Sequence, residues 1–121
     1  MSADPIVREL EWYLRDHLFR QSNAGKTSFR RELLPNEMKA LYLRYRNSDS
    51  DQLSNIMTSV IEILTEEKVL RQDRNELKLL GKMTRLQCVK CFYINYLAVA
   101  EPRACLRCRH KDLQDFPRKK A

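Results

Sequence analysis

All four cysteines of this chain fall in two pairs, Cys88-Val-Lys-Cys91 and Cys105-Leu-Arg-Cys108, separated by 13 residues. Two C-x2-C pairs at that distance predict a four-thiolate metal site. A segment of about 35 residues cannot bury enough apolar surface to offset its own ordering entropy. A bound ion makes up the difference, contributing on the order of 10 kcal/mol or more to such modules. Thiolates suit a borderline-soft cation, so the expected cofactor is Zn2+. The same ligands serve iron–sulfur clusters, and the same residues form disulfides in oxidising compartments. A closed set of four cysteines leaves no coordination position for water, which makes the site structural rather than catalytic.

Charge divides the chain. Residues 1–67 carry nine Lys/Arg and eleven Asp/Glu, whereas residues 68–121 carry fourteen and five. Four thiolates around a divalent ion still leave the C-terminal part near +7, taken from its formal +9. Such an asymmetry points to different partners for the two ends. The N-terminus has no basic start followed by an apolar run, and no segment approaches the roughly 20 apolar residues of a spanning helix. An intracellular location, cytoplasmic or nuclear, with no membrane partner and no small-molecule substrate, is therefore expected.

With only two glycines and four prolines in 121 residues, the chain favours helices. Asp4 and Pro5 open a helix to about Arg20, with Ile6, Leu10, Tyr13, Leu14 and Leu18 on one stripe. Pro35 opens a second helix to about Arg46, burying Met38, Leu41, Tyr42 and Tyr45. A third runs from about Asp51 to Glu67 over Leu53, Ile56, Met57, Val60, Ile61 and Leu64. Thr27–Phe29 reads as a short strand, and 68–72 with 76–80 as a hairpin about Asp73-Arg-Asn75, although residues 68–80 also fit a helical extension. Three helices followed by a basic hairpin is the order of a winged helix. The expected architecture is α+β and mainly helical: a helical, winged-helix-like domain over 1–84 and a zinc-ribbon-like module over 85–121. On this division, Cys91→Ser unfolds residues 86–110 and leaves the first helices largely intact.

No catalytic constellation is visible, and a non-enzymatic protein is expected. Gly25-Lys26-Thr27 lacks the upstream glycine of a phosphate loop, Arg20 standing in its place. His17 lies near the first stripe and reads as a packed or surface side chain. His110, two residues past Cys108, reads as a group supporting the ligands or a surface group, and as the weaker alternative ligand because four cysteines already suffice; Glu66-Glu67 are neighbours rather than a facing pair. The cations carry the functional expectation instead. Arg71, Arg74, Lys78 and Lys82 belong to the hairpin region, and Lys90, Arg103, Arg107, Arg109 and Lys111 to the metal module. Interleaved with Phe92, Tyr93 and Tyr96, and followed by Arg118-Lys-Lys120, they predict binding to DNA or RNA. Neutralising Arg71, Arg74 and Lys78 is expected to weaken that binding. The third helix offers Ser54, Asn55, Thr58, Ser59 and Glu62 outward and no cation before Lys68, unlike a duplex-reading helix. The alternative is a protein-interaction subunit that docks through its helical domain and uses the metal module as a brace.

Leu86-Gln-Cys-Val-Lys-Cys-Phe92, then Ala104-Cys-Leu-Arg-Cys108 and a basic stretch, resembles the zinc-binding C-terminal region of the flagellar master activator subunit FlhC. The resemblance spans about residues 86–120 and implies a helical domain that binds promoter DNA together with a partner subunit. It assigns the ligand role to Cys88, Cys91, Cys105 and Cys108. The module is also similar to zinc ribbons, whose glycine after each cysteine pair is replaced here by Phe92 and Arg109.

Overall fold

The computed structural model describes residues 4–117, so the basic tail Arg118–Lys120 lies outside the described residues. Helix α1, Pro5–Asn23, begins where the Asp4 carboxylate accepts the Ile6 amide at 3.0 Å, with Pro5 in the first turn. It ends in a Schellman motif: the Gly25 amide donates to Ser22 O and the Lys26 amide to Gln21 O, with Gly25 at φ +91°. Strand β1, Ser28–Arg30, and a 3-10 turn at Arg31–Leu33 lead into helix α2, Leu34–Leu41. The second helix is shorter than its periodicity predicts. Tyr42 turns extended (φ −121°, ψ 122°), and Leu43–Tyr45 follow as a separate 3-10 turn. The turn sends the Tyr42 hydroxyl to Asp16 Oδ2 at 2.6 Å and leaves Leu41 58% exposed.

Helix α3, Ser50–Glu66, is capped by Asp49, which accepts the Gln52 amide. Its end resolves the ambiguity over residues 68–80. Lys68 takes φ +63°, its amide donates to Thr65 O and the Val69 amide to Leu64 O, which closes the helix and releases a hairpin. Strands β2, Leu70–Asp73, and β3, Glu76–Leu79, are joined by the two-residue turn Arg74-Asn75. Strand β1 adds to β3, giving an antiparallel sheet of order β1-β3-β2. The second sheet, of order β5-β4-β6, comprises β4 (Met83–Cys88), β5 (Ile94–Ala98) and β6 (Leu113–Asp115). The architecture is thus α+β, three α-helices with two small antiparallel sheets. None of the described helices is long and apolar enough to cross a membrane.

The core has two parts. One gathers Leu10, Leu14, Leu18, Met57, Ile61 and Leu64 between the helices, with Phe29 and Leu77 from the first sheet. The other gathers Leu86, Leu97 and Leu113 around Cys88 and Cys105. Ile6, placed on the stripe by its spacing, is 56% exposed one turn beyond the packed face. Strand β5 belongs to both parts, because alternate strand residues point to opposite faces. Ile94, Tyr96 and Ala98 pack with the helices, and Leu97 packs with the cysteines. That double burial explains why the strand residues 94–98 carry no regular apolar/polar alternation.

A buried polar seam ties α1 to the second sheet. Trp12 Nε1 donates to Ile94 O at 2.8 Å. Arg15, 1% exposed, donates to both Glu101 oxygens at 2.7 and 2.8 Å, to Tyr96 O at 2.7 Å and to Glu11 at 3.0 Å. Burial alone would lower the basicity of Arg15, but the Glu101 and Glu11 carboxylates raise it above its ordinary value. Asp16 accepts from the hydroxyls of Tyr42 and Tyr96 and from Arg20. Burial opposes its charge, yet these donors hold its carboxyl below the usual range. Burial and the Asp16 carboxylate push the Tyr96 hydroxyl up to about 12, so it remains a donor. Of the packed and surface readings left open for His17, the structure shows the packed one, buried with Nε2 3.0 Å from Glu37.

Candidate metal centre

The four cysteines converge from two tight turns. Strand β4 delivers Cys88 at its last residue, and the chain doubles back through Cys91 into β5. The Phe92 amide donates to Cys88 O at 3.0 Å, and the Cys88 amide to Tyr93 O at 3.0 Å. The second turn repeats the arrangement: the Arg109 amide donates to Cys105 O at 2.9 Å, and the Cys105 amide to His110 O at 2.8 Å. The residue following each pair is left-handed, Phe92 at φ +65° and Arg109 at φ +69°. These are the positions where glycine would be comfortable. The turns therefore form without their glycines, at roughly 1–2 kcal/mol of backbone strain for each residue.

All four Sγ atoms lie within 4.8 Å of one another. Cys88 and Cys108 are 3.6 Å apart, as are Cys91 and Cys105. No pair is bonded, since a disulfide needs about 2.05 Å. A tetrahedral ion with metal–sulfur bonds of about 2.3 Å sets its sulfurs about 3.8 Å apart, so the four thiols suit a single metal ion. Backbone amides already point at the cluster: Lys90 N and Cys91 N are 3.4 and 3.5 Å from Cys88 Sγ.

Charge within the cluster is split when protons alone are shared. Burial opposes ionisation of Cys105, but the Cys108 amide, Asn95 and the Arg107 amide bring its thiol down to about 6. Cys88 is likewise lowered, against its burial, by the amides of Cys91 and Lys90. Cys91 goes the other way: although the Tyr93 amide favours its thiolate, burial and the three neighbouring sulfurs push it up to about 12. Some thiols thus serve as donors to the others. A cation replaces those shared protons and lets all four ionise together.

Asn95 went unmarked in the sequence, although it is the one carboxamide in the apolar run 92–99. It is fully buried, donates from Nδ2 to Tyr93 O at 3.2 Å, and accepts the Leu106 amide at Oδ1 at 2.8 Å. It therefore braces one cysteine turn against the other. Asn95→Asp keeps the size and the acceptor for the Leu106 amide but removes the donor to Tyr93 O, and Asn95→Ala removes both. Competition with a chelating dye should show metal affinity reduced about 10- to 100-fold; an unchanged affinity would remove Asn95 from this role.

The cations named from the sequence fall into two groups. In the first sheet, Arg71 lies opposite Lys78 and Asp73 opposite Glu76, with Arg30 on the far side of Glu76. Directly opposed residues share a face, so Arg30, Arg71 and Lys78 stand among two carboxylates. Lys78 reaches Asp73 at 3.7 Å. Arg74 occupies the hairpin tip at φ +59°, and Lys82 is exposed between the sheets. In the metal module, Lys90, Arg103, Arg107, Arg109 and Lys111 are all exposed, and none pairs with a carboxylate among the described residues. Arg103 donates to Leu113 O at 3.3 Å, and Arg107 lies over the Tyr93 ring. The amide of Val89 donates to Asp112 O at 3.2 Å, which brings Lys111 up to the turn carrying Lys90. Arg31 adds a cation the sequence had not marked, bonded to Gln72 and reaching Thr58 on α3.

No family model, curated protein or solved structure matches this chain.

Proposed function

We propose that the chain is a non-enzymatic, zinc-stabilised nucleic-acid-binding protein, acting in transcription regulation or within a nucleic-acid-processing assembly. The observation that carries this reading is the charge of the metal module: five exposed cations around the cysteine turns, none in an ion pair with a carboxylate among the described residues, against the exposed acid Asp112 beside Lys111. A surface of that kind recruits phosphates by releasing their counterions. The close sulfur spacing supports one tetrahedral ion rather than a multi-iron cluster, and four thiolates favour Zn2+. The paired amide-bonded turns support a zinc-ribbon-like module. The order of three helices, with β1 paired to the β2–β3 hairpin, supports a winged-helix reading of the first part. The resemblance to the flagellar activator contributes the idea of DNA bound in company with another subunit.

The hairpin is the lesser binding surface in this proposal, because Asp73 and Glu76 share its outer face. The test is nucleic-acid affinity against salt. Replacing Lys90, Arg107, Arg109 and Lys111 with Gln is expected to weaken binding across all sequences and to flatten the log–log salt slope by about 0.7–0.9 for each phosphate no longer neutralised. Substituting Arg71, Arg74 and Lys78 should flatten it less. A wild-type protein that binds neither DNA nor RNA at low salt would sink the proposal.

One observation favours a protein partner in addition. Leu33, Leu41 and Leu43, at the two ends of α2, are 44%, 58% and 76% exposed, while the outward face of α3 carries no cation of its own. Apolar docking through that region would persist at high salt, where nucleic-acid binding is lost.

A further inference from the structure

We infer that Phe92 is a base-stacking residue, and that the nucleic acid held at the metal module is single-stranded. This deepens the proposed function and rests on it. Three aromatic residues near the cations were stacking candidates, and the fold removes two of them. Tyr96 is 3% exposed with its hydroxyl on Asp16, and Tyr93 is half-buried beneath Arg107. Phe92 is 68% exposed, at the edge of the first cysteine turn.

Its backbone is the second observation. Phe92 is held at φ +65° by its own amide on Cys88 O and by Gln87 Nε2 on its carbonyl at 3.1 Å. A bulky side chain in the left-handed region is an outlier that glycine would relieve. A chain that places phenylalanine there, facing solvent, accepts strain and exposed apolar area that neither core contributes to offset. Recognition of a partner gives the ring a use.

The surroundings identify the partner's chemistry. Lys90 lies two residues before Phe92, and the Val89–Asp112 bond brings Lys111 to the same turn. An aromatic face beside two lysines free of ion pairs among the described residues, which outnumber the neighbouring Asp112, suits a base stacked on the ring with its flanking phosphates on the lysines. Duplex bases are already stacked, so the ring has a free base to engage only in a single strand.

The decisive variant is Phe92→Gly, because glycine suits this backbone and folding is preserved. Fluorescence anisotropy of the metal-loaded full chain should be measured with labelled dT and rU oligonucleotides and with a duplex of equal length. Wild type is expected to prefer the single strands. Phe92→Gly should weaken single-strand binding about 5- to 150-fold, with a melting temperature equal to or above wild type and little change towards duplex. Phe92→Trp should retain the affinity. Single-strand affinity unchanged in Phe92→Gly, or a fall in melting temperature that parallels the loss, overturns the stacking role while leaving the charge-based proposal intact. Absence of any nucleic-acid binding by wild type overturns the parent reading itself.

Discussion

Stripping the ion from the cysteine cluster is expected to unfold residues 86–110 and, with them, to destabilise the helices. The first effect follows from size. The second hydrophobic cluster holds only a few buried side chains, two of them cysteines, so binding worth on the order of 10 kcal/mol is most of what orders it. The second effect follows from the seam. Tyr96, Ala98 and Glu101 lie in or just after β5, and they cover α1 from the metal side. When β5 loosens, Arg15 loses Glu101 and the Tyr96 carbonyl, Asp16 loses the Tyr96 hydroxyl, and Trp12 loses its acceptor at Ile94. This expectation differs from the one drawn on sequence alone, in which the helices survive metal loss largely intact. Amide exchange of the Cys91→Ser protein, or of wild type in a strong chelator, distinguishes them. Protection should vanish over 86–110 and fall measurably along α1. Full protection of 86–110 without metal would refute the metal's structural role, and full protection of α1 would refute the coupling.

Replacing Arg15 with Ala should be the most damaging substitution outside the cysteines. Removing one partner of a buried ion pair costs about 3–5 kcal/mol, because a charge is left behind in a poorly solvated site. Here Glu101 would be left without a counter-ion and Glu11 with only the half-exposed Arg8 at 2.9 Å, the two carboxylate side chains being 2% and 5% exposed. A loss of that size is comparable to the whole stability of many domains. Arg15→Lys should recover little, since Glu101 is held bidentately by a planar fork. The triple change Arg15→Met, Glu11→Gln, Glu101→Gln should recover much of the stability, because it leaves no unpaired buried charge. Denaturant unfolding of the metal-loaded proteins reads these differences, and a loss under about 1 kcal/mol for Arg15→Ala would dismiss the seam as an energetic link.

The sequence and the tertiary structure decided different things. Cysteine spacing is covalent information, so the cluster of four thiols that could hold a metal ion was legible from the two C-x2-C pairs. The first helix start was legible for a similar reason, since Asp4 and Pro5 act on the backbone within a few residues, whereas the third helix, expected from about Asp51, is capped by Asp49. The short β1 strand and the hairpin were readable from pattern, although only the Lys68 helix stop settled the hairpin against a longer helix. Long-range pairing was not legible. Nothing local joins Arg15 to Glu101 or Asp16 to Tyr96, so the polar seam that these charged residues of α1 build had no signal in the sequence. The same limit governed the candidate binding surface. Counting cations along the chain made the hairpin and the metal module equals, and only strand register put Asp73 and Glu76 among the hairpin's cations. Sequence alone determined which residues can hold a metal, because ligand chemistry depends on residue type and spacing. Tertiary structure alone decided which charges remain unpaired and which aromatic ring faces water, because both depend on neighbours distant in the chain.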